Sequence, residues 1–178
     1  MKPVLKKIAA RTAMCGAGLL VAGALCGAMG LRINTSKSIP LGLYQTRDTP
    51  AVKGSYVLLC PPRSATMAEA KRRGYLAAGF CPGDYGYMMK MVFAVQGDAI
   101  AITEQGVSVN GAMVPLSAPL ARDAAGRPLP RYQPARFTLG RAEVLLMSNV
   151  SGTSFDGRYF GPVDRAQIKT VIDPVLTW

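Results

Sequence analysis

The chain has 178 residues, 49% apolar and 17% charged, a balance that suits one globular unit with a real core and excludes a disordered chain. It contains no histidine, which excludes a Ser-His-Asp triad, a Cys-His pair and any His-ligated zinc or haem site. Its 21 Lys+Arg against 10 Asp+Glu give +11, but the basic residues are scattered without a nucleic-acid-binding motif, so no nucleic acid is expected as partner.

Lys2, Lys6, Lys7 and Arg11 precede an uncharged run from Thr12 to Leu31, ended by Arg32. As a helix this run spans ~30 Å, the thickness of a bilayer core. The basic flank is expected to stay cytoplasmic and everything after Arg32 to be exported. A retained anchor is the favoured reading; the rival is a cleaved signal peptide, with Ala22-Gly23-Ala24 as its site. The expected organisation is therefore 1–11 as a cytoplasmic basic flank, 12–31 as a transmembrane anchor or signal segment, and 32–178 as an exported domain. That domain keeps a net +7, which suits a surface near anionic lipid of the inner membrane.

The exported part reads mostly as strands. Residues 39–46 are extended, with Pro40 at an edge. Tyr56 to Leu59 is a short apolar strand. Ala65 to Ala78 is the one expected helix, capped by Ser64 and ended by Gly79. Gly86 to Val95, Ile100 to Thr103, Val107 to Val109 and Ala112 to Leu116 follow as strands, the last two joined by the hairpin signal Asn110-Gly111. Residues 117–141, rich in Pro, Arg and Ala, read as a long loop. Glu143 to Met147 is a buried strand, Ser148 to Gly161 is polar and glycine-rich, and Gln167 to Ile172 is a last strand. The expected fold is mainly β: a membrane-anchored antiparallel domain, partly barrel-like, with one N-terminal helix and one short helix. Cys60 and Cys81 lie in the exported part, each followed by Pro, and an even pair in an oxidising compartment forms a disulfide. Two free buried thiols are the alternative.

Three segments carry the candidate chemistry. The first, residues 34–44, places hydroxyls on Thr35, Ser36 and Ser38 directly after the apolar run. In the second, residues 88–98, Lys90 interrupts an apolar strand and alternates onto the face of Met88, Val92 and Ala94. A lysine among such neighbours loses hydration, its pKa falls, and the neutral amine is a competent general base. An edge-strand lysine with its head in water fits the pattern as well. The third, residues 148–162, holds Asp156 and Arg158, close enough to pair and fix a loop, or to lie in a solvated turn.

Together these segments resemble the type I signal peptidase family of serine proteases, which use a Ser/Lys dyad, and more closely its TraF branch of conjugative-transfer proteases. The branch pattern Ser-x-Pro-x-Gly-x-Tyr matches Ser38, Pro40, Gly42 and Tyr44; Lys-x-Val-x-Ala-x-x-Gly-Asp matches Lys90, Val92, Ala94, Gly97 and Asp98; Ser-x-Asp-x-Arg-Tyr-x-Gly matches Ser154, Asp156, Arg158, Tyr159 and Gly161. The Cys-Pro-Pro and Cys-Pro-Gly pieces at 60–62 and 81–83 also resemble this branch. The family's Gly-Asp-Asn start of the third box is replaced by Met147-Ser148-Asn149. The resemblance implies Ser38 as nucleophile, Lys90 as general base, Ser36 with the Ser38 N–H as oxyanion donors, Ser154 as the residue holding the lysine amine, and Asp156 with Arg158 as a supporting pair. It implies no cofactor and no metal. It makes residues 32–178 a periplasmic serine protease domain whose substrate is a pilin precursor, cleaved or cyclised, with other conjugative transfer proteins as further partners. A general leader peptidase and a non-enzymatic, membrane-tethered assembly factor of the mating apparatus are the competing readings.

Overall fold

A computed structural model describes residues 3–178; Met1 and Lys2 of the basic flank lie outside the described residues. Helix α1 (Pro3–Ala28) is followed by strands β1 (Leu31–Asn34), β2 (Gly42–Arg47) and β3 (Tyr56–Leu59), then helix α2 (Ala65–Arg72). Strands β4 (Ala78–Cys81), β5 (Met88–Ala94), β6 (Ala99–Thr103), β7 (Gly106–Val109), β8 (Ala112–Met113), β9 (Arg136–Thr138) and β10 (Glu143–Met147) come next. The one-turn α3 (Gly157–Phe160), β11 (Val163–Asp164) and β12 (Ile168–Thr177) complete the chain. The fold is mainly antiparallel β, as the sequence indicated. A seven-stranded sheet runs β1-β2-β12-β3-β5-β10-β11 and curls into a half-barrel, and a four-stranded sheet runs β8-β7-β6-β9.

Within α1, Ala10–Ala28 is long and apolar enough to cross a membrane, with mean hydropathy 1.4, and none of it is buried against the rest of the chain. That is compatible with an anchor or a signal sequence. The helix stops three residues before the expected end, because Gly30 takes φ +82 and Leu31 starts a strand paired with Gln45. That strand, β1, is absent from the sequence reading. Its pairing Asn34↔Gly42 turns residues 35–41, which carry Ser38, into the connection between two hydrogen-bonded strands.

Helix α2 begins where expected, with the Ser64 hydroxyl accepting from Met67 N–H. It does not reach Ala78. Gly74 at φ +81 ends it, with Gly74 N–H on Lys71 O and Tyr75 N–H on Ala70 O. Beyond it Leu76 is drawn into the core and residues 78–81 form β4, which bridges to Tyr85. The Asn110-Gly111 turn has both residues at positive φ, the geometry that a tight hairpin demands. β8 is shorter than expected because the Ser117 hydroxyl accepts from Val107 N–H and donates to Val114 O, bending the chain off the sheet. The expected loop 117–141 hides β9, whose Phe137 pairs with Ile100. β12 runs on to Thr177 past Pro174, which is tolerated because the register shifts between Pro174 and Leu176.

After Glu143, strand β10 is apolar because it is buried on both faces. Val144 and Leu146 join the core under α2, while Leu145 and Met147 join the core against the smaller sheet. A third cluster packs Ile39 with Tyr44, Leu58 and Ile172.

Cys60 and Cys81 are disulfide-bonded, with Cα atoms 5.5 Å apart and 21 positions apart in sequence. The closed loop contains all of α2. Constraining a loop of that size is worth ~3 kcal/mol in the chain-entropy model. Reduction is expected to lower the denaturant midpoint of the β domain; an unchanged midpoint after complete thiol alkylation would show that the bridge does not hold α2.

Candidate active site

The β1–β2 connection is held from below by its own neighbours. Asn34, buried at the end of β1, donates through Nδ2 to Ser36 O, Ile39 O and Pro40 O at 2.8–3.0 Å. Its Oδ1 accepts from Ser36 N–H at 3.1 Å and from Ser36 Oγ at 2.9 Å. The Tyr44 hydroxyl donates to Pro40 O at 2.6 Å. Ile39 is fully buried, so the residue after Ser38 is an apolar peg worth ~1.5–3 kcal/mol of burial. At the exit, Gly42 has φ +156, and a Cβ there would stand 2.1 Å from Leu176 O. Any side chain would push β12 away and move the loop. Asn34 is the positioning residue that the sequence reading passed over; its only signal was a polar side chain where β1 should bury one.

Lys90 comes from the middle of β5, between β3 and β10, not from an edge. Strand alternation buries it with Met88, Val92 and Ala94, and only 2% of it is exposed. Its Nζ stands 2.7 Å from Ser38 Oγ and 2.7 Å from Ser154 Oγ. Burial pulls its pKa down from 10.5 to about 8. Asp156 opposes that fall and Arg158 assists it, and burial, the largest of the three influences, decides the direction.

Asp156 and Arg158 are both fully buried. Arg158 Nε and Nη2 fork onto the two Asp156 oxygens at 2.8 and 3.0 Å. Arg158 Nη1 donates to Leu116 O at 2.8 Å and to Gly152 O at 2.9 Å, and Nη2 reaches Ser151 O at 3.5 Å. Asp156 also caps α3 through Arg158 N–H and accepts Ser148 N–H at 3.1 Å. The Ser148 hydroxyl closes the turn by accepting from Val150 and Ser151 N–H. The departure Met147-Ser148-Asn149 thus still yields a closed turn, with a hydroxyl as its acceptor. The pair ties residues 148–158 to the 116–118 segment, and Ser154 is carried on that fixed loop.

The structure therefore brings Ser38, Lys90 and Ser154 into one hydrogen-bonded row and sets the Asp156–Arg158 pair behind it. Ser36 is exposed beside them, but its hydroxyl donates to Asn34, so turning it toward a reacting oxygen requires a rotamer change. A cleft of about 510 Å³ opens on one side of Ser38, lined by Asn34, Ser36, Leu58, Leu76, Tyr87 and Met88 among others. On the other side lies a smaller, more polar pocket of about 220 Å³ with Lys37, Ser151, Thr153 and Ser154. Chemically, a hydroxyl against a buried amine of lowered pKa is a proton-transfer pair with an open cleft beside it.

The family model described as signal peptidase, peptidase S26 matches residues 17–177. The chain is 58% identical over 178 residues to a plasmid transfer protein TraF of Escherichia coli, covering 100% of each. It is 63% identical over 163 residues to a second TraF from that species, covering 92% of each. To the probable conjugal transfer protein TraF of Sinorhizobium fredii it is 44% identical over 153 residues, covering 84% of this chain and 78% of that one. Among solved structures, a signal peptidase I from Enterococcus faecalis superposes with TM-score 0.41 at 13% identity, covering 70% of this chain and 98% of that chain.

Proposed function

This chain belongs to the S26 signal peptidase family, among its TraF plasmid-transfer members, and from that premise we propose that it is a membrane-anchored Ser/Lys-dyad peptidase that matures a conjugative pilin precursor. The observation that carries this reading is the 2.7 Å contact between Ser38 Oγ and a buried lysine amine of lowered pKa. Neutral Lys90 accepts the Ser38 proton as Oγ attacks the peptide carbonyl, and the acyl-enzyme ester forms as the amine segment leaves with that proton. The Ser38 N–H and the Ser36 hydroxyl take the developing oxyanion. Ser154 holds the Lys90 amine toward Ser38, and Asp156 with Arg158 holds Ser154. Deacylation by water gives a cleaved pilin; deacylation by the substrate's own N-terminal amine gives a cyclic one, aided by the high effective concentration of a tethered nucleophile.

The basic flank lies in the cytoplasm, the apolar helix up to Ala28 anchors the chain in the inner membrane, and the β domain that starts at Leu31 faces the periplasm. What supports this placement is the bare apolar helix and, in the domain after it, a disulfide of the kind found in exported proteins. The substrate class is supported by the plasmid-transfer names of the relatives. The test is incubation of membranes holding this chain with the pilin precursor of its mating system, alongside a fluorophosphonate probe. Probe attached at Ser38 and a shortened precursor are expected; a cyclic product is one water lighter than the linear one. A chain that neither takes the probe at Ser38 nor shortens any precursor is a scaffold, not a peptidase. Equal processing of ordinary secretory precursors would make it a general leader peptidase.

A further inference from the structure

We propose that the hollow between α2 and the segment 128–130 is a second substrate-binding site, which takes an apolar side chain of the polypeptide a few residues downstream of the scissile bond. The inference rests on the reading of Ser38 and Lys90 above and specifies what that site selects.

The hollow measures about 420 Å³. Ala65, Thr66 and Ala70 of α2 form one side, and Pro128, Leu129 and Pro130 the other. The wall toward Ser38 is made by the rings of Tyr75 and Phe155. Those two rings also line the large cleft and the small polar pocket that flank Ser38. Three hollows thus meet at one aromatic wall, and Phe155 directly follows Ser154, the hydroxyl that touches Lys90.

The wall and its far side are tied together. The Tyr75 hydroxyl donates to the Asp123 carboxylate, and the Arg127 guanidinium sits 5.7 Å above the Tyr75 ring. Arg73 donates to Pro128 O at 2.6 Å. Tyr75 packs on Phe155 with ring centres 5.3 Å apart, and Phe155 stacks on Tyr159. The site is therefore formed before any substrate arrives, which lowers the ordering cost of binding.

The direction of the substrate follows from the proton. Its carbonyl oxygen must point toward the Ser38 N–H and Ser36, at the edge of the large cleft. Its leaving nitrogen must stand toward Lys90 and Ser154, because Lys90 returns to it the proton taken from Ser38. Lys90 lines the large cleft and Ser154 the small polar pocket, so a nitrogen held between them sends the first residues of the leaving segment into the small pocket. An extended chain advances ~3.3 Å per residue, so within a few residues it passes Phe155 and reaches the hollow. The lining there is mostly methyl, proline, leucine and aromatic surface; the two charged side chains in it, Glu69 and Arg73, are paired with each other, so the hollow favours an apolar side chain.

The test uses the full-length chain and the same pilin precursor. Thr66→Trp fills the hollow without charge, and Leu129→Asp places a charge in it without filling it. Neither residue touches Ser38, Lys90 or their partners. Both variants are expected to raise KM about tenfold or more, the value of one lost apolar anchor, with kcat near wild type. Fluorophosphonate labelling of Ser38 should keep its wild-type rate in both. In the precursor, Asp placed at one apolar downstream position should raise KM similarly, and should add little in the Leu129→Asp variant. Unchanged KM in both variants, with labelling intact, overturns the second site and leaves the dyad standing. A wild type that neither shortens the precursor nor takes the probe overturns the dyad itself, and the second site with it.

Discussion

Ser38→Ala and Lys90→Ala are each expected to lower processing by about a thousandfold or more while the protein stays folded and membrane-bound, since removing the nucleophile or its base ends the covalent route. Lys90→Arg is expected to fail as completely. Arginine keeps the charge but does not release its proton at any working pH, so it cannot take one from Ser38. Rates are to be measured on the same precursor at several pH values. The wild type should gain activity as pH rises through about 8, where the Lys90 amine becomes neutral. Full activity in any of the three variants would remove the assignment. Lys90 also carries a cost. Its folded pKa lies below its unfolded one, so between about pH 8 and 10.5 the unfolded chain binds more protons than the native one, and stability rises with pH across that window. At neutral pH the full penalty, ~3 kcal/mol, is present. Lys90→Met should therefore inactivate the protein yet leave its denaturant midpoint unchanged or higher.

Strand alternation alone placed Lys90 on the face of Met88, Val92 and Ala94, because a period of two needs no tertiary information. It did not distinguish a central strand from an edge, since that depends on β3 and β10, which lie far off in sequence. Glu143 to Met147 and Tyr56 to Leu59 were legible as strands because each holds a continuous apolar run, Val144 to Met147 in the first. The end of α2 was not: Gly74 and Gly79 are both plausible stops. The chain takes the first because Tyr75 is held by Asp123 and Leu76 by the core. Strand β1 was masked by the apolar run before it, whose hydropathy carries no mark of where helix becomes strand. Asn34 went unread for a related reason. Its value lies in three carbonyls within six residues, and those come within reach only once Asn34 pairs with Gly42. The spacing of Asp156 and Arg158 suggested a pair, but nothing local announces full burial. That arises because the 116–118 segment supplies carbonyls from the far side.

Breaking that pair from either end is expected to have opposite effects on the pH profile and the same effect on stability. Asp156→Asn leaves Arg158 buried with an uncompensated positive charge, and Arg158→Gln leaves Asp156 with a negative one. Each change should cost about 3–5 kcal/mol, the usual penalty for orphaning one member of a buried, hydrogen-bonded ion pair. The double variant should cost less than the sum, because no naked charge then remains. The lysine responds to the sign of what is left. Arg158 alone pushes the Lys90 pKa further down, so the surviving activity of Asp156→Asn should set in at lower pH than wild type. Asp156 alone holds the amine protonated, so Arg158→Gln should need higher pH. Denaturant midpoints give the first comparison and acylation rates of Ser38 against pH the second, both at a temperature where the variants are folded. Profiles that move in the same direction, or not at all, would mean that the pair only scaffolds the loop carrying Ser154 and has no electrostatic hold on Lys90. Opposite shifts would separate the two roles, since a loosened loop lowers the rate at every pH but has no reason to move the midpoint in a direction set by which charge was removed.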